Sequence, residues 1–409
     1  MHLLFWISGI MVALGWAIPV VQAMLNRHRV ADITEPKWDP PANTPMPSIT
    51  IVVPARNEAA DLEPAIRSLL RLDYPDYQII GINDRSTDAT GELLERLSAG
   101  SESKGRLRVI HVHQLPQGWL GKTHAMWLGA QQGTGEWILF TDADCVFHPD
   151  SLRRALYYAQ ETSADHLVLF PTALVQTWGE RMMISFTQVT AGLALRGWKV
   201  RDPKAREFIG VGAFNLVRRS AYNAIGTFSS LRMAVVDDLQ LGQVLKQARF
   251  RQDVVFGPNL VSLRWAHGAL GVVRNLEKNL FAFFGFRMAL VVLASFAVLF
   301  TCVWPFVGLV CAQGWPRAAF VVAVAMIVAQ HFLVERVSRI SPLAIFTFPL
   351  GALIFVFATL RSAFVTLRDG AITWRGTKYS LDELRKSATP LGRALKPTAD
   401  RADKRGSNP

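Results

Sequence analysis

The chain has 409 residues, half of them hydrophobic, with a mean hydropathy of +0.21, a net charge of +12 and a pI near 10.0. That is too apolar for an ordinary soluble enzyme, and the apolar residues concentrate in 3–25 and 288–367, leaving a middle with the make-up of a globular domain. The basic balance is compatible with nucleic acid or an anionic membrane surface; no nucleic-acid motif is present, and much of the charge flanks the apolar segments, as the positive-inside rule requires.

Leu3 to Leu25 is apolar and long enough to cross a bilayer as a helix. Positive charge follows it, at Arg27 and Arg29, and none beyond His2 precedes it. The segment therefore reads as an uncleaved anchor with its C-terminal end in the cytoplasm. Thr34 to Pro47 carries five prolines and reads as a linker along the membrane surface.

Ser48 to Val53 is a β-branched strand ended by Pro54, and Ala55-Arg56-Asn57-Glu58 is a polar turn. Asp61 to Arg71 has helical spacing at Leu62, Ile66, Leu69 and Leu70. Tyr77 to Ile82 is a second strand, followed by the turn Asn83-Asp84-Arg85-Ser86-Thr87-Asp88. Thr87 or Asp88 is placed to cap a helix running through Leu97. Leu107 to Val112 is a third strand. Strands alternating with helices imply a parallel sheet in an α/β domain. Gln117-Gly118-Trp119-Leu120-Gly121-Lys122 reads as a loop suited to approach a phosphate, or equally as a surface turn with a solvated lysine.

Glu136 to Phe140 is a buried strand, and Thr141-Asp142-Ala143-Asp144-Cys145 follows it. His148 to Leu152 opens the next helix. Two carboxylates thus sit in a strand-to-helix turn, where open α/β sheets bind ligands. Carboxylates one residue apart can hold a hard cation, since Mg²⁺ is commonly bound by one or two carboxylates plus substrate phosphates. A parallel sheet also brings Asn57, Glu58, Asp84, Asp142 and Asp144 to one edge. The three cysteines, Cys145, Cys302 and Cys311, have neither metal nor disulfide spacing, which implies a reducing compartment for the soluble part.

Val175 to Lys199 places Trp178, Met182, Phe186, Val189 and Leu193 on one helical stripe, with Arg181, Arg196 and Lys199 off it. A core helix and an interfacial helix both fit, and the tethered domain favours the interfacial one. Val235-Val236-Asp237-Asp238-Leu239 opens a helix through Gln247. Acids are favourable at a helix N-terminus for electrostatic reasons alone; the functional alternative is a base facing the cleft. Met288 to Cys311, Ala318 to Val334 and Ile345 to Leu360 each approach spanning length. One anchor and three further crossings would put the basic tail after Arg361 outside, whereas its charge favours the inside. One of the three segments is therefore expected to be re-entrant or interfacial, and the chain beyond Ser387 to be disordered.

From Ser48 to Gln247 the sequence resembles a membrane-bound family 2 glycosyltransferase of the GT-A fold. The motifs are Val53-Pro54-Ala55-Arg56-Asn57-Glu58, Asn83-Asp84-Arg85-Ser86-Thr87-Asp88, Gly121-Lys122, Asp142-Ala143-Asp144 and Asp237-Asp238-Leu239-Gln240-Leu241, in that order. The flanking apolar segments are similar to the ceramide glucosyltransferase and hopanoid-associated branch. The resemblance implies a nucleotide-sugar site with Pro54, Arg56, Glu58, Asp84, Lys122 and Asp142, Glu58 and Asp84 holding ribose and base and Lys122 facing the diphosphate. It implies Mg²⁺ or Mn²⁺ on Asp142 and Asp144, and Asp238 as the base that deprotonates the acceptor. Asp237, Arg264 and Trp265 would lie on the acceptor or diphosphate side, with Gly212 to Asn215 in the acceptor wall. The branch's Gln/Arg-x-x-Arg-Trp motif is here Val261-Ser262-Leu263-Arg264-Trp265, without its polar first residue. Trp374-Arg375-Gly376-Thr377-Lys378 resembles the gating loop of membrane polysaccharide synthases.

The expected organisation is an anchor at 1–26, a linker at 27–47, a GT-A domain with a mostly parallel sheet at 48–286 containing the interfacial helix at about 175–200, membrane or re-entrant helices at 287–367 and a basic cytoplasmic tail at 368–409. The expected function is inverting, metal-dependent transfer of a hexose from a nucleotide-diphosphate sugar, a UDP-sugar by preference, to a hydroxyl of a membrane lipid. The protein would sit in the inner membrane with its catalytic domain in the cytoplasm and have no nucleic-acid partner. A processive polysaccharide synthase and a non-catalytic membrane scaffold are the alternatives.

Overall fold

A computed structural model describes residues 2–338 and 341–387, with the side chains of 336–338, 342 and 387 left aside. The basic segment expected to be disordered beyond Ser387 lies outside the described residues. In chain order the elements are α1 (His2–Asn26), β1 (Ile49–Ala55), α2 (Leu62–Leu70), β2 (Tyr77–Asp84), α3 (Thr90–Ala99), β3 (Leu107–Val112), α4 (Gly121–Gln132), β4 (Trp137–Phe140), β5 (Val146–Phe147), α5 (Ser151–Glu161), β6 (His166–Phe170) and β7 (Thr172–Ala173). There follow α6 (Trp178–Leu195), α7 (Gly197–Val200), β8 (Asn215–Arg218), α8 (Arg219–Ala224), α9 (Asp237–Gln247), β9 (Gln252–Phe256), β10 (Val261–Leu263) and α10 (Gly268–Phe283). The chain continues through α11 (Met288–Val298), α12 (Trp304–Cys311), α13 (Trp315–Ser338), α14 (Phe348–Asp369), β11 (Ala371–Trp374), β12 (Thr377–Ser380) and α15 (Leu381–Ser387).

Seven strands form the central sheet in the order β3-β2-β1-β4-β8-β6-β9. β1 pairs in parallel with β2 (Ile51 opposite Ile79) and with β4 (Thr50 opposite Ile138), and β6 pairs in parallel with β9. β8 alone is reversed, antiparallel to β4 and β6. Both faces are covered, so alternate residues of one strand enter different cores: Ile49, Ile51 and Val53 pack on one side and Val52 on the other. This is why β1 reads as a continuous apolar run. The order reverses between β1 and β4, and that is where the crevice at the C-terminal strand ends opens.

The segment expected as a linker along the membrane surface is partly docked on the domain. Ile33 donates its N–H to the Phe256 carbonyl at 2.8 Å and its side chain is fully buried, so this stretch lies along β9. The N-cap of the third helix is Ala89, not Thr87 or Asp88 as expected, although the Asp88 carboxylate just before it accepts the Thr90 N–H at 3.0 Å. Gly121-Lys122, expected as a loop, instead forms the first turn of α4.

Four helical stretches among the described residues are long and apolar enough to cross a membrane: His2–Arg29, Met288–Cys311, Trp315–Glu335 and Leu343–Asp369. The second contains a π-turn over Leu299–Val303, just before Pro305. Small residues let these helices approach closely: a Cβ at Gly9 would lie 3.1 Å from Ala319 Cβ, and one at Gly308 would lie 2.4 Å from the Phe320 ring. The contacts also order the helices in depth. Gly9 near the start of α1 meets Ala319 near the start of α13, so these two run the same way. Trp16 Nε1 donates to the Thr301 carbonyl at 2.7 Å while Phe5 stacks on Trp304 at 5.8 Å, so α11–α12 runs oppositely.

α14 behaves differently. Its first residue, Phe348, lies beside Trp16 (6.0 Å) and His331 (5.2 Å), half-way along α1 and well inside α13. Its far end packs on α10, where Ser362 Oγ accepts the Phe281 N–H at 3.0 Å, and then enters the β11–β12 hairpin against the α/β domain. α14 thus begins at mid-depth and returns to the domain without reaching the level of Phe5 and Trp304. The predicted stripe of α6 is covered by this helix: Phe186 packs against Phe348 at 5.2 Å and Phe355 at 5.4 Å. The stripe is therefore a packing face, and α6 lies between the domain and the apolar helices with Trp178 exposed.

Candidate active site

A cleft of about 420 Å³ opens at the switch point between β1 and β4. Pro54, Arg56, Glu58, Asp84, Lys122, Asp142, Asp144, Asp237, Asp238 and Trp265 all line it. The sequence separates these residues by up to two hundred positions; parallel pairing brings the β1, β2 and β4 ends together, and α4 and α9 carry Lys122 and the second acidic pair to the same edge.

Asp142 is held at the end of β4 by its neighbours' backbone. Thr141 donates its hydroxyl to the Ala213 carbonyl at 2.8 Å, and the Asp142 N–H donates to the Gly212 carbonyl at 3.1 Å. The Gly212 N–H in turn donates to Asp238 Oδ2 at 3.0 Å. One peptide segment therefore ties both acidic motifs together. A Cβ at Gly212 would lie 2.5 Å from Asp142 Oδ2, so a side chain there would displace the carboxylate.

Lys122 Nζ lies 2.7 Å from Asp142 Oδ1 and 3.5 Å from Asp237 Oδ2. Burial opposes its charge, but Asp142, Asp237 and Asp238 outweigh burial and hold its pKa above the ordinary lysine value. Burial likewise works against Asp142, and Lys122 overcomes it, keeping that carboxyl below its usual pKa. Asp144 is raised, by burial first and then by Asp142 and Glu58. Among the described residues it forms no ion pair with a basic side chain. Asp237 and Asp238 are both raised by burial, with Lys122 opposing. Asp238 is further fixed by the Leu239 N–H, which donates to Oδ1 at 2.8 Å.

At the other end of the cleft Arg375, on the hairpin tip, pairs with Glu58 and donates to the Arg56 carbonyl. Thr377 accepts from Arg56 at 3.0 Å, and Tyr379 Oη accepts the Gly121 N–H at 3.1 Å. The hairpin thus forms the outer wall beside Glu58.

Asp84 lines the cleft, but Arg85 occupies both its oxygens at 2.7 and 2.9 Å, with Arg56 at 3.9 Å. Its carboxylate is a buried anchor for two arginines as well as part of the cleft lining. Contrary to expectation, Arg264 does not line the cleft: it pairs with the fully buried Glu180 at 2.7 Å. Glu180 also accepts the Gly268 N–H at 2.7 Å and caps α6 through Thr177. The pair locks β10 to the N-termini of α6 and α10, because a carboxylate buried there requires a cation and N–H donors. Its neighbour Trp265 does face the cleft.

Residues without a sequence reading also line the site. Asn275, Lys278 and Asn279 of α10 enter it, as does Gln188 of α6. The first three recur at helical spacing on α10, a polar face that the sequence does display.

Residues 50–226 match the family model "Glycosyl transferase family 2". The chain is similar to the 4,4'-diaponeurosporenoate glycosyltransferase of Staphylococcus aureus, 23% identical over 343 residues, covering 82% of this chain and 89% of that one. In structure it is similar to the mannosyltransferase PcManGT from Pyrobaculum calidifontis, solved in complex with GDP-Man and Mn²⁺, with a TM-score of 0.53 and 16% identity, covering 88% of this chain and 99% of that one. At that identity the likeness is one of fold.

Proposed function

We propose that the chain is a family 2 glycosyltransferase of the GT-A type, whose model it matches over residues 50–226, and that it transfers a hexose from a nucleotide-diphosphate sugar to a hydroxyl of a membrane lipid, with inversion. The observation that carries this reading is the shared cleft: Asp142, Asp144 and Lys122 on one wall, Asp238 on the next, and α6 and α10 closing the side toward the apolar helices. The similar S. aureus enzyme is named for a lipid-like acceptor, and the similar mannosyltransferase was solved with a nucleotide sugar and Mn²⁺.

The donor set suits a divalent cation. Asp144 has no basic partner among the described residues, and the carboxyls of Asp142, Asp144 and Glu58 repel one another. No cluster of three metal-ligating side chains occurs among the described residues. Asp142 and Asp144 would therefore share Mg²⁺ or Mn²⁺ with phosphate oxygens, the usual arrangement for a hard ion. Such an ion would supply Lewis-acid stabilisation of the departing diphosphate.

The chain's own residues do the rest. Lys122 offers positive charge where the leaving diphosphate develops negative charge. Asp238, oriented by the Gly212 and Leu239 N–H groups, accepts the proton of the acceptor hydroxyl, which becomes nucleophilic as it attacks the anomeric carbon. A single displacement inverts that centre. Glu58, at the first strand end, is placed for the nucleoside, with Arg375 beside it.

We place α1, α11–α12 and α13 across the membrane and read α14 as re-entrant. Three crossings return the hairpin to the side of the catalytic domain, in keeping with Arg27 and Arg29 after the anchor. That side is the cytoplasm.

The test is incubation of membranes containing the full chain with labelled UDP- and GDP-sugars, followed by lipid extraction. Label entering a single-sugar lipid product, and lost on chelation of divalent cations, is the expected result. Label only in a polymer, or in no lipid at all, overturns the reading.

A further inference from the structure

Four basic side chains line the cleft, and three of them have a carboxylate partner. Arg56 lies 3.9 Å from Asp84, Lys122 is balanced by Asp142 and Asp237, and Arg375 by Glu58. The fourth, Lys278 of α10, lines the cleft yet forms no ion pair among the described residues. Its ammonium lies 5.1 Å from the centroid of the Trp374 ring. Burial pushes its pKa below the ordinary lysine value, and Lys122 and Arg375 push the same way against Asp142 and Asp237. An uncompensated cation in a part-buried cleft is costly unless a ligand brings negative charge.

A second observation points the same way. The indole N–H of Trp374 is buried and donates to no acceptor among the described residues. Buried donors are normally satisfied, so an exception calls for an explanation. An ammonium over the ring and a buried indole N–H, both on cleft-lining residues and both without acceptors among the described residues, match a ligand rich in oxygen acceptors and negative charge. The arginine expected at the diphosphate, Arg264, is committed to Glu180.

We propose that Lys278, assisted by the Trp374 indole N–H, binds the diphosphate of the nucleotide sugar and stabilises its departure, the task that Arg264 does not perform. The proposal rests on the nucleotide-sugar reading of the cleft. It adds a catalytic residue from α10 beside Lys122 of α4. As the bond from the anomeric carbon to the diphosphate oxygen breaks, the electron pair stays on that oxygen, and Lys278 offsets the charge without transferring a proton.

The test compares the affinity of the full chain, in detergent with fixed Mg²⁺, for nucleoside diphosphate and nucleoside monophosphate of the same base. In the unaltered protein the diphosphate binds more tightly. Lys278→Gln is expected to shrink that preference by about ten- to a hundredfold, the range for a charge-assisted hydrogen bond, with monophosphate affinity unchanged and the unliganded melting temperature no lower than that of the unaltered protein. Lys278→Arg restores most of it, and Trp374→Phe, which keeps the ring, loses a smaller part. Turnover falls with the diphosphate preference. An unchanged preference in Lys278→Gln and Trp374→Phe, or a loss confined to the KM for the lipid acceptor, overturns the proposal and leaves the enzyme's function standing. A full chain that binds neither nucleotide overturns both.

Discussion

Arg375 and Glu58, 317 positions apart in sequence, form an ion pair across the mouth of the cleft. Glu58 follows the first strand of the α/β domain, and Arg375 follows the last apolar helix. The pair can form only if the end of α14 lies on the same side of the membrane as the domain.

That relationship predicts the labelling pattern of cysteines in intact cells. Cys311 is exposed at the distal end of α12, and Ser380 is exposed after the hairpin. An impermeant thiol reagent is expected to reach Cys311. In a Cys311→Ser background, Ser380→Cys is expected to stay unlabelled until the membrane is opened, as is Ser101→Cys in the domain. Labelling of Ser380→Cys in intact cells would mean that α14 crosses fully.

Asp144→Ala is expected to abolish the metal dependence of nucleotide-sugar binding. Asp144 faces the cleft and has no basic partner among the described residues, which leaves its charge for a cation. Calorimetric titration with and without Mn²⁺ or Mg²⁺ measures this directly. Equal affinity and equal metal response in the variant would remove Asp144 from the metal site.

For the base, Asp238→Asn is expected to reduce turnover by about 10²–10⁴-fold, the range for loss of a general base, with donor affinity nearly unchanged. Asp237→Asn behaves differently, because Asp237 faces Lys122 at 3.5 Å. Its removal weakens donor binding through a repositioned Lys122. Turnover and donor affinity measured side by side separate the two; a dead Asp237→Asn beside a normal Asp238→Asn would exchange their roles.

The Arg264–Glu180 pair predicts a stability effect and little effect on nucleotide binding. Burial alone would raise the Glu180 carboxyl, but hydrogen bonds from Arg264 and the backbone N–H groups of Gln176, Gly268 and Thr177 bring its pKa from 4.5 down to about 2. The folded pKa is the lower one, so the unfolded chain binds the proton more readily. The stabilisation is full above pH 4.5 and is lost as pH falls from 4.5 toward 2. It amounts to roughly 2–3 kcal/mol. Glu180→Gln is therefore expected to unfold more easily than the unaltered protein at pH 7, with the gap closing in acid. Arg264→Met should lower the melting temperature while leaving nucleoside diphosphate affinity within about twofold, the scatter expected for a residue outside the cleft. A large loss of nucleotide affinity without loss of stability would return Arg264 to the diphosphate.

Much of the catalytic edge was legible along the chain. The runs at 49–53, 77–82, 107–112 and 136–140 have strand length and composition, and each lies where a strand forms. Such patterns depend on neighbours two to four positions apart. Because parallel strands end on one edge, the acids after β1, β2 and β4 could be placed together before any coordinates existed. The apolar segments were legible for the same reason, since spanning length is a local property.

What tertiary structure alone decided were the partnerships. The motif around Arg264 reads as a phosphate contact, yet Glu180, 84 positions away, takes its guanidinium. Lys278 reads as one cation in a helix, and becomes unusual only because α10 packs over the cleft where the other three cations already have carboxylates. α14 belongs to a stretch long and apolar enough to cross a membrane, and only its contacts with Trp16, His331 and α10 support the re-entrant reading proposed for it. Hydropathy and periodicity describe what a segment will bury. Which distant segment buries it, and which charge is left without a partner, follows from the packing of the whole chain.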